Sequence, residues 1–466
     1  MSINTTATVN ATVSQSEFTN GKLIAGHEAS YRVVPTLNLK HVAPAASQAV
    51  ITAADSTQIQ LETPRSKALI SETLRTHVMN VDQETCEPGA EDPFFVCDLG
   101  KVERLYQIWK DALPRVHPYY AVKCNNDEEV LKKLAAMGVN FDCASKGEIE
   151  TVLNLGVDPS RIIYANPCKV ASFLRFASNS NVNLTTFDNS EELYKIKKYH
   201  PETGVLLRII TDDESAQCRL STKFGAPLAN VRNLLSIAKT LNLNVRGVSF
   251  HVGSGASDND SLIKAVQDAK NVFEIGKELG LTGMDTLDVG GGFSYESFGT
   301  ASKALGYALD EYFPASSGVN LIAEPGRYFV ANAFTLAVNV IAKRGGVFES
   351  TGGDDQDRAM VYVNDGVYGN MNCILFDHQS PKAAVLTNRS QFLYNEDQSQ
   401  GTHKVSIWGP TCDGLDCIAK EAQLSHNVQV GDWLYFADLG AYTSAAASPF
   451  NGFKAKANTL YVNSEN

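Results

Sequence analysis

Two features of this sequence have the residue types needed for chemistry on an amino group. Lys123 ends the apolar run Tyr119–Val122. An amine at the end of a buried strand suits Schiff-base chemistry, because burial lowers its pKa. Glycine-rich turns follow two other predicted strands, at residues 253–255 and 290–292, and glycines let backbone N–H groups approach a phosphate closely. Each feature alone is typical of a surface lysine or a plain turn, but together they indicate an aldehyde cofactor that carries a phosphate.

Other residues have the chemistry that pyridoxal phosphate, a cofactor of this kind, requires. Glu324 is a candidate acid partner for the pyridine nitrogen, whose protonation makes the ring an electron sink. Arg327 adds a forked donor for the phosphate. His251 could stack on the ring, and Tyr442 could reach the phosphate. The ordinary alternatives are a local Glu324–Arg327 ion pair, a hydrogen-bonded core histidine and a packed core tyrosine.

A second reactive cluster lies in residues 408–416, where Cys412 and Asp413 are adjacent in a glycine-rich turn. A thiol can donate a proton to a carbanion, and a carboxylate can hold a substrate ammonium. Asp377 supplies another carboxylate, although a buried structural cysteine is the ordinary interpretation of Cys412. These residues predict an enzyme that acts on an amino acid with a cationic side chain, and they leave decarboxylation and racemisation both open.

The elements that position these residues follow a regular alternation. Eight β-branched or aromatic runs alternate with seven amphipathic stretches, the last of which is Ala301–Tyr312. This pattern predicts an α/β fold with a (β/α)8 TIM-type barrel, whose active site lies at the carboxyl ends of the strands. The predicted strands are His117–Lys123, Asn140–Cys143, Arg161–Ala165, Leu184–Phe187, Val205–Ile210, Val245–His251, Thr286–Val289 and Asn320–Ala323.

Composition along the chain predicts four segments. Residues 1–65 are rich in Ser, Thr, Ala and Asn and predict a disordered extension. Residues 66–98 are expected to contribute strands to a second domain, and residues 99–334 form the cofactor-binding barrel. Amphipathic helical stretches end at about residue 335, and residues 335–466 are predicted to form a C-terminal all-β domain. Its predicted strands are Met360–Val363, Lys404–Ile407, Trp433–Phe436 and Thr459–Tyr461.

Charge and cysteine content exclude several classes of function. The 466 residues carry 40 Lys and Arg against 52 Asp and Glu, a net charge of −12, which argues against nucleic acid or an anionic membrane as partner. The N-terminal stretch lacks the basic start and apolar centre of a secretory signal. Nine cysteines without a C-x2-C pair argue against a metal site and favour the cytoplasm. We therefore expect a cytoplasmic enzyme with a small-molecule substrate.

Nine motifs between residues 119 and 443 resemble the eukaryotic, fungal-like ornithine decarboxylases of the alanine-racemase-like fold group, and the resemblance covers residues from about 85 to 460. This resemblance implies a pyridoxal phosphate-dependent carboxy-lyase that converts L-ornithine to putrescine and CO2, the first step of polyamine biosynthesis. The motifs are Tyr119–Asn125 (YYAVKCN), Phe141–Lys146 (FDCASK), Tyr164–Lys169 (YANPCK), His251–Gly255 (HVGSG), Asp288–Phe293 (DVGGGF), Glu324–Tyr328 (EPGRY), Asn364–Gly369 (NDGVYG), Trp408–Asp416 (WGPTCDGLD) and Gly440–Thr443 (GAYT).

The resemblance also implies a role for each site residue. Lys123 binds the cofactor covalently, His251 stacks on its ring, and Cys412 protonates the decarboxylated carbon. Substrate contacts come from Asp377 and Asp413, and from Phe376, which stands where animal relatives carry a tyrosine. Glu148 supports the lysine and the ring. The implied cofactor contacts are Lys123, Asp142, Arg208, His251, Ser254, Gly291, Gly292, Glu324, Pro325, Gly326, Arg327 and Tyr442.

Partners follow from the same resemblance. It implies a homodimer with shared active sites, in which Cys412 and Asp413 come from the second subunit and Lys223 pairs with Asp416 across the interface. It also suggests antizyme as a protein partner, although no motif in this sequence identifies a binding region for it.

Three alternatives stay open within this resemblance. The first is a diaminopimelate decarboxylase, which would need to hold a second substrate carboxylate, whereas Asp377 and Asp413 suit a cation. Lysine remains an alternative secondary substrate, because one methylene gives only modest discrimination. A non-catalytic antizyme inhibitor would have lost the cofactor, which the presence of Lys123, Arg327 and Cys412 argues against. A cofactor-binding protein without amino-acid turnover is the third, although that class is usually smaller and lacks the β-domain.

Overall fold

The computed structural model describes residues 60–212, 220–253, 259–345, 358–398 and 400–465. Most of the predicted disordered extension, residues 1–59, lies outside the described residues, and so does Ser254. Residues 58–466 form one compact unit. Among the helices of the described ranges, none is long and apolar enough to cross a membrane.

Helices and strands alternate through the first two thirds of the described chain, and strands dominate afterwards. The α-helices are α1 Pro64–Val78, α2 Leu99–Ala112, α3 Glu128–Ala136, α4 Lys146–Asn154, α5 Ala171–Asn179, α6 Ser190–Tyr199, α7 Leu228–Thr240, α8 Asp260–Glu278, α9 Tyr295–Tyr312, α10 Arg327–Val330 and α11 Cys373–Phe376. The strands are β1 Phe94–Asp98, β2 Val116–Ala121, β3 Asn140–Cys143, β4 Ile162–Tyr164, β5 Leu184–Phe187, β6 Gly204–Arg208, β7 Asn244–Ser249, β8 Thr286–Asp288, β9 Asn320–Ala323, β10 Phe334–Gly345, β11 Ala359–Val363, β12 Ala384–Val385, β13 Thr387–Asn388, β14 Gln391–Phe392, β15 His403–Trp408, β16 Cys417–Leu424, β17 Trp433–Phe436 and β18 Asn458–Val462.

The predicted barrel is confirmed, since β2 to β9 close into a parallel eight-stranded barrel. Its strands are mostly buried because their apolar runs face the barrel interior on one side and the helix layer on the other. Several helices begin at capping residues; Asn189, for example, accepts a 2.9 Å hydrogen bond from the Glu192 N–H at the start of α6. Helix α9 begins six residues before its predicted start at Ala301, where the Ser294 side chain accepts from the Ser297 N–H.

The strand that was predicted to end at Lys123 ends earlier. Strand β2 stops at Ala121, and Val122–Cys124 form a 3-10 turn instead of continuing to Lys123 as a strand. The Ala121 N–H donates to the Pro325 carbonyl at 3.1 Å, and the Tyr120 hydroxyl donates to the Asn125 carbonyl at 2.8 Å. These bonds hold the chain before and after Lys123, so the lysine lies on a turn that is fixed at both ends.

A second, mostly antiparallel sheet lies after the barrel, as the fold prediction requires. Its strand order is β12-β17-β10-β11-β15-β16, and β1 pairs with both β10 and β18. Neither β10 nor β16 was among the predicted strands. Strand β16 reads Cys-Ile-Ala-Lys-Glu-Ala-Gln-Leu, whose polar residues hide its β character, and it forms as the antiparallel partner of β15.

Helix α1 was also missed, although its start has a recognisable signal. Thr63 caps the helix by accepting from the Ser66 N–H at 3.0 Å, and Pro64 occupies the first turn. The helix is fixed by Asp98, a fully buried carboxylate that accepts from the Ser66 hydroxyl at 2.6 Å and from the Ser464 hydroxyl at 2.7 Å. The first and last described segments are therefore joined at one buried carboxylate.

Candidate active site

Lys123 and Asp142 form the centre of the barrel mouth. In the parallel pairing of β2 and β3, Ala121 is opposite Asp142, so the turn after β2 carries Lys123 over that carboxylate. The Lys123 Nζ lies 2.5 Å from Asp142 Oδ2. Asp142 is fully buried, whereas 40% of the Lys123 side chain is exposed at the mouth. The amine is thus oriented by a buried carboxylate and remains accessible to a ligand.

The pKa of Lys123 departs from the direction that the sequence predicted. Burial lowers this pKa, as expected, but the carboxylates of Asp142 and Glu324 outweigh burial, and the net pKa is raised above the ordinary value. The prediction of a lowered pKa was therefore wrong for the chain without ligands. The sequence could not show the reversal because it depends on two carboxylates from β3 and from the residue after β9.

Two further carboxyl groups meet at the ends of neighbouring strands. Asp288 ends β8, and Glu324 directly follows β9, the next strand of the barrel. Burial raises the pKa of Asp288 to about 6, although the Gly290 N–H donates to it at 2.9 Å. Burial and the charges of Asp288 and Asp142 raise the pKa of Glu324 well above its ordinary value. Asp288 was not among the predicted site residues, although an aspartate between an apolar strand and three glycines is a usable signal.

These raised pKa values make the stability of the cofactor-free chain depend on pH. The folded chain binds protons at Asp288 and Glu324 more tightly than the unfolded chain, so this stabilisation is present in acid and lost as pH rises through the folded pKa values. For Asp288 the effect is about 3 kcal/mol. We expect Glu324→Gln to flatten the fall in melting temperature as pH rises above the ordinary carboxyl range, because the amide does not titrate. Parallel curves for the wild type and the variant would contradict this.

The glycine turn after β8 makes a close backbone approach. Gly290 and Gly292 have positive φ angles of 68° and 98°, which side-chain-bearing residues rarely adopt. A Cβ on Gly291 would lie 2.6 Å from the Glu324 carbonyl oxygen and 2.9 Å from His251 Nε2. A Cβ on Gly292 would lie 2.3 Å from the Gly253 carbonyl. The predicted glycines therefore bring the loops after β7, β8 and β9 into direct contact.

His251 and Arg208 lie on the same face of the barrel. His251 follows β7, and its Nδ1 accepts from the Gly253 N–H at 3.0 Å, which fixes the ring beside Gly291. Arg208 ends β6, and its guanidinium lies 5.3 Å from the centre of the Phe224 ring. Glu148, the predicted supporting carboxylate, accepts from the Ala144 N–H at 2.6 Å.

Arg327 and Asp377 are joined directly, which the sequence did not predict. The Arg327 guanidinium, at the first residue of α10 and two residues after Pro325, forms an ion pair with the Asp377 carboxylate just after α11. It also lies 5.3 Å from the centre of the Tyr442 ring. The residues assigned to phosphate and to the substrate ammonium are therefore neighbours. Gly326 precedes this pair, and its position allows no Cβ, which would lie 2.8 Å from Cys124 Cβ.

The loop that carries Tyr442 is fastened to the Lys123 turn. Tyr442 has a positive φ of 54°, and its N–H donates to the Cys124 carbonyl at 2.9 Å. Asn125 is buried, and its side-chain amide donates to the Gly440 carbonyl at 2.8 Å. Asn125 was not assigned a role from the sequence. Asn125 directly follows the Lys123 turn, and its bond to Gly440 joins that turn to the loop after β17.

Cys412 and Asp413 lie apart from the Lys123 group, on the turn between β15 and β16. The Cys412 N–H donates to Asn451 Oδ1 at 3.0 Å, and Asp413 accepts from the Tyr368 hydroxyl. The Tyr368 hydroxyl and the Leu415 N–H lower the pKa of Asp413. Within the described residues, the hydrogen bonds of Cys412 and Asp413 stay inside residues 358–465. The two reactive groups of this turn are not hydrogen-bonded to the Lys123 cluster of their own chain.

Large apolar side chains are exposed within residues 358–465. Phe376 is 71% exposed and Leu415 is 65% exposed, far more than such side chains usually are. Asp416, in contrast, is 2% exposed and accepts hydrogen bonds from the Val367 N–H and from the Thr411 hydroxyl of its own chain. Its pairing with Lys223 of a second subunit stays a prediction. No cluster of three metal-ligating side chains occurs within the described residues.

Comparisons with known proteins agree with this geometry. Residues 99–331 match the family model of the pyridoxal-dependent decarboxylases, pyridoxal binding domain. The ornithine decarboxylase of Saccharomyces cerevisiae is 56% identical over 410 residues, which cover 85% of this chain and 86% of that protein. Antizyme inhibitor 2 of Xenopus laevis is 50% identical over 380 residues, covering 80% of this chain and 81% of that protein.

A solved structure has a similar fold. The arginine decarboxylase of Paramecium bursaria Chlorella virus superposes with a TM-score of 0.75 at 35% identity, covering 85% of this chain and all of that one. The match includes both the barrel and most of the chain beyond it, so the relationship is not confined to a common barrel. The chain belongs to the family of ornithine decarboxylases, within the pyridoxal-dependent decarboxylases.

Proposed function

We propose that this chain removes the carboxylate of L-ornithine as CO2 and releases putrescine. The observation that carries the proposal is the Lys123–Asp142 pair beside Glu324 at the barrel mouth, in a chain with extensive identity to curated ornithine decarboxylases. An accessible amine among buried carboxyl groups suits covalent capture of a carbonyl compound. The reaction class is that of a carboxy-lyase.

The residues of the site fit pyridoxal phosphate, the cofactor of the family. Glu324 Oε1 is buried and has no hydrogen-bond partner among the described residues, so it can accept a bond from a ring N–H. The glycine turn at 290–292 lies beside His251 and the Glu324 carbonyl, and the Arg327 guanidinium supplies a charged donor for a phosphate. When bound, the cofactor supplies an electron-accepting ring that stabilises the charge left on the substrate carbon as CO2 departs.

The chain's own residues then have separate tasks. Asp142 orients the Lys123 amine through their ion pair, and the amine must lose its proton before its lone pair can attack a carbonyl. His251 is fixed beside Gly291, where its ring can cover one face of a flat ligand. Asp377 and Asp413 supply carboxylates for the distal ammonium of the substrate. Cys412 donates a proton to the substrate carbon that lost its carboxylate.

We propose that two copies of the chain share their active sites. Among the described residues, Cys412 and Asp413 are hydrogen-bonded to residues within 358–465, and the exposed Phe376 and Leu415 give that region an apolar surface suited to a second copy. A head-to-tail pair would bring the Cys412 turn of one subunit to the Lys123 site of the other. The monomer is then inactive, because it lacks the Cys412 turn of a second subunit at its Lys123 site.

Substitution of Cys412 tests the proposed proton donor. We expect Cys412→Ala to release CO2 but to form less putrescine for each CO2, because the carbon is then protonated without a positioned thiol. Both products are measured from the same reaction with L-ornithine labelled in its carboxylate. Cys168, another exposed cysteine, provides the control, since Cys168→Ala should keep putrescine and CO2 equal. Equal products in Cys412→Ala would remove Cys412 from the mechanism.

Two finer proposals concern location and partner. The eight cysteines of the described ranges are free thiols, which supports a cytoplasmic location, testable by cell fractionation. The 50% identity to an antizyme inhibitor supports antizyme as a partner, testable by copurification of the two proteins. The Lys123–Asp142 pair favours catalysis over a purely inhibitory role.

A further inference from the structure

The turn that carries Cys412 is held from both sides. On its inner side, Asp416 accepts from the Thr411 hydroxyl at 2.7 Å and from the Thr411 N–H at 3.0 Å. On its outer side, the Cys412 N–H donates to Asn451 Oδ1 at 3.0 Å. Asn451 is thus the residue whose side chain contacts the Cys412 backbone directly, from a segment 39 positions further along the chain.

The backbone around Asn451 is itself specialised. Asn451 has φ 55° and ψ 15°, a left-handed conformation that asparagine, aspartate and glycine adopt most readily. It lies in the short turn Phe450–Gly452, whose Phe450 ring stacks on the Tyr368 ring at 4.4 Å between centroids. The Tyr368 hydroxyl donates to Asp413. The turn therefore contacts both reactive residues, Cys412 through Asn451 and Asp413 through Phe450 and Tyr368.

We propose that Asn451 is a positioning residue for the Cys412 thiol, acting through the hydrogen bond from the Cys412 N–H to its side-chain oxygen. This inference rests on the proposed function, in which Cys412 donates a proton to the substrate carbon. The Cys412 sulfur is separated from the backbone by a single carbon, so a shift of that backbone moves the thiol with it. A displacement of about 1 Å is enough to cost a large factor in a positioned proton transfer.

Two substitutions separate the hydrogen bond from the backbone conformation. Asn451→Gly keeps the left-handed backbone and removes the acceptor, whereas Asn451→Asp keeps both the backbone preference and an acceptor oxygen. A residue needed only for the turn would tolerate either change. If Asn451 positions Cys412, only Asn451→Asp preserves its function. Wild-type behaviour of Asn451→Asp with a defect in Asn451→Gly therefore distinguishes a positioning role from a role in the turn alone.

Two readouts on the holoenzyme test the proposal. The first is putrescine formed per CO2 released, which we expect Asn451→Gly to lower toward the value of Cys412→Ala, with the KM for L-ornithine and the melting temperature unchanged. The second is the rate of iodoacetamide alkylation at Cys412, with exposed Cys168 as an internal reference. We expect Asn451→Gly to change that rate by about threefold or more relative to Cys168, and Asn451→Asp to restore both readouts.

The outcomes are distinguishable. The proposal is contradicted if Asn451→Gly behaves as the wild type in both readouts, or if Asn451→Asp fails in the same way as Asn451→Gly. If Cys412→Ala itself keeps equal putrescine and CO2, the proposed proton donor is wrong instead. In that case the alkylation rate alone decides whether Asn451 positions the thiol.

Discussion

Replacing Lys123 with alanine should lower turnover of L-ornithine by about a thousandfold or more, because this amine is the only group of the Lys123–Asp142–Glu324 cluster that can bond covalently to a carbonyl carbon. The variant should also lose the visible absorption of the covalently held cofactor. Removal of Lys123 leaves the fully buried Asp142 carboxylate without its ion-pair partner, which costs stability, so the melting temperature is recorded together with the activity. The absorption spectrum and the release of CO2 are measured on the same preparation.

Two control variants make this result specific. Lys123→Arg keeps a positive charge beside Asp142 but cannot form the covalent bond, so it should be as inactive as the alanine variant and at least as stable. Lys132 is an exposed lysine on α3, paired with Glu128 and Glu129, and Lys132→Ala should keep full activity. Retained absorption and turnover in Lys123→Ala would remove Lys123 from its proposed role.

The second large effect is recovery of putrescine formation when two variants that are each deficient in it are mixed. If each site combines Lys123 of one subunit with Cys412 of the other, a dimer of Lys123→Ala and Cys412→Ala subunits has one intact site. Random exchange of equal amounts makes half of the dimers mixed, so putrescine formation should reach about a quarter of the wild-type rate. Putrescine is the product to measure, since Cys412→Ala alone can still release CO2.

A matched pair of variants provides the control for this mixing experiment. Lys123 and Glu324 both lie at the barrel mouth, so a mixture of Lys123→Ala with Glu324→Gln has a defect in each site and should not exceed the mean of its two components. Subunit exchange is verified by copurification through a tag on one variant. Proven exchange of Lys123→Ala with Cys412→Ala without recovery would contradict shared sites.

Much of the barrel could be predicted because its strands and helices have strong local patterns. Strands β3, β5 and β9 have the predicted bounds, and most polar residues at strand ends lie at the barrel mouth. Strand β16 could not be predicted, because its polar residues resemble a surface loop until β15 pairs with it. Helix α1 depends in the same way on Asp98, which is distant in sequence from the helix that it fixes.

The residue types of the site could be predicted better than their interactions. The raised pKa of Lys123 depends on carboxylates from two other parts of the barrel, and no local pattern around residue 123 contains them. The ion pair between Arg327 and Asp377 joins positions 50 residues apart. Asn451 forms its bond to Cys412 over 39 residues, and an asparagine in a short turn has no recognisable signal in a single sequence.

The most direct test of the account is a competition between substrates. The purified protein with pyridoxal phosphate is given equal amounts of L-ornithine, L-lysine and L-arginine together, and the three amine products are quantified. The ratio of products reports the ratio of kcat/KM values, and one methylene is worth about tenfold or more in such a site. We expect putrescine to exceed cadaverine by at least that factor, with little agmatine. Predominance of cadaverine or agmatine, or no amine from a protein that holds the cofactor, would contradict the proposed function.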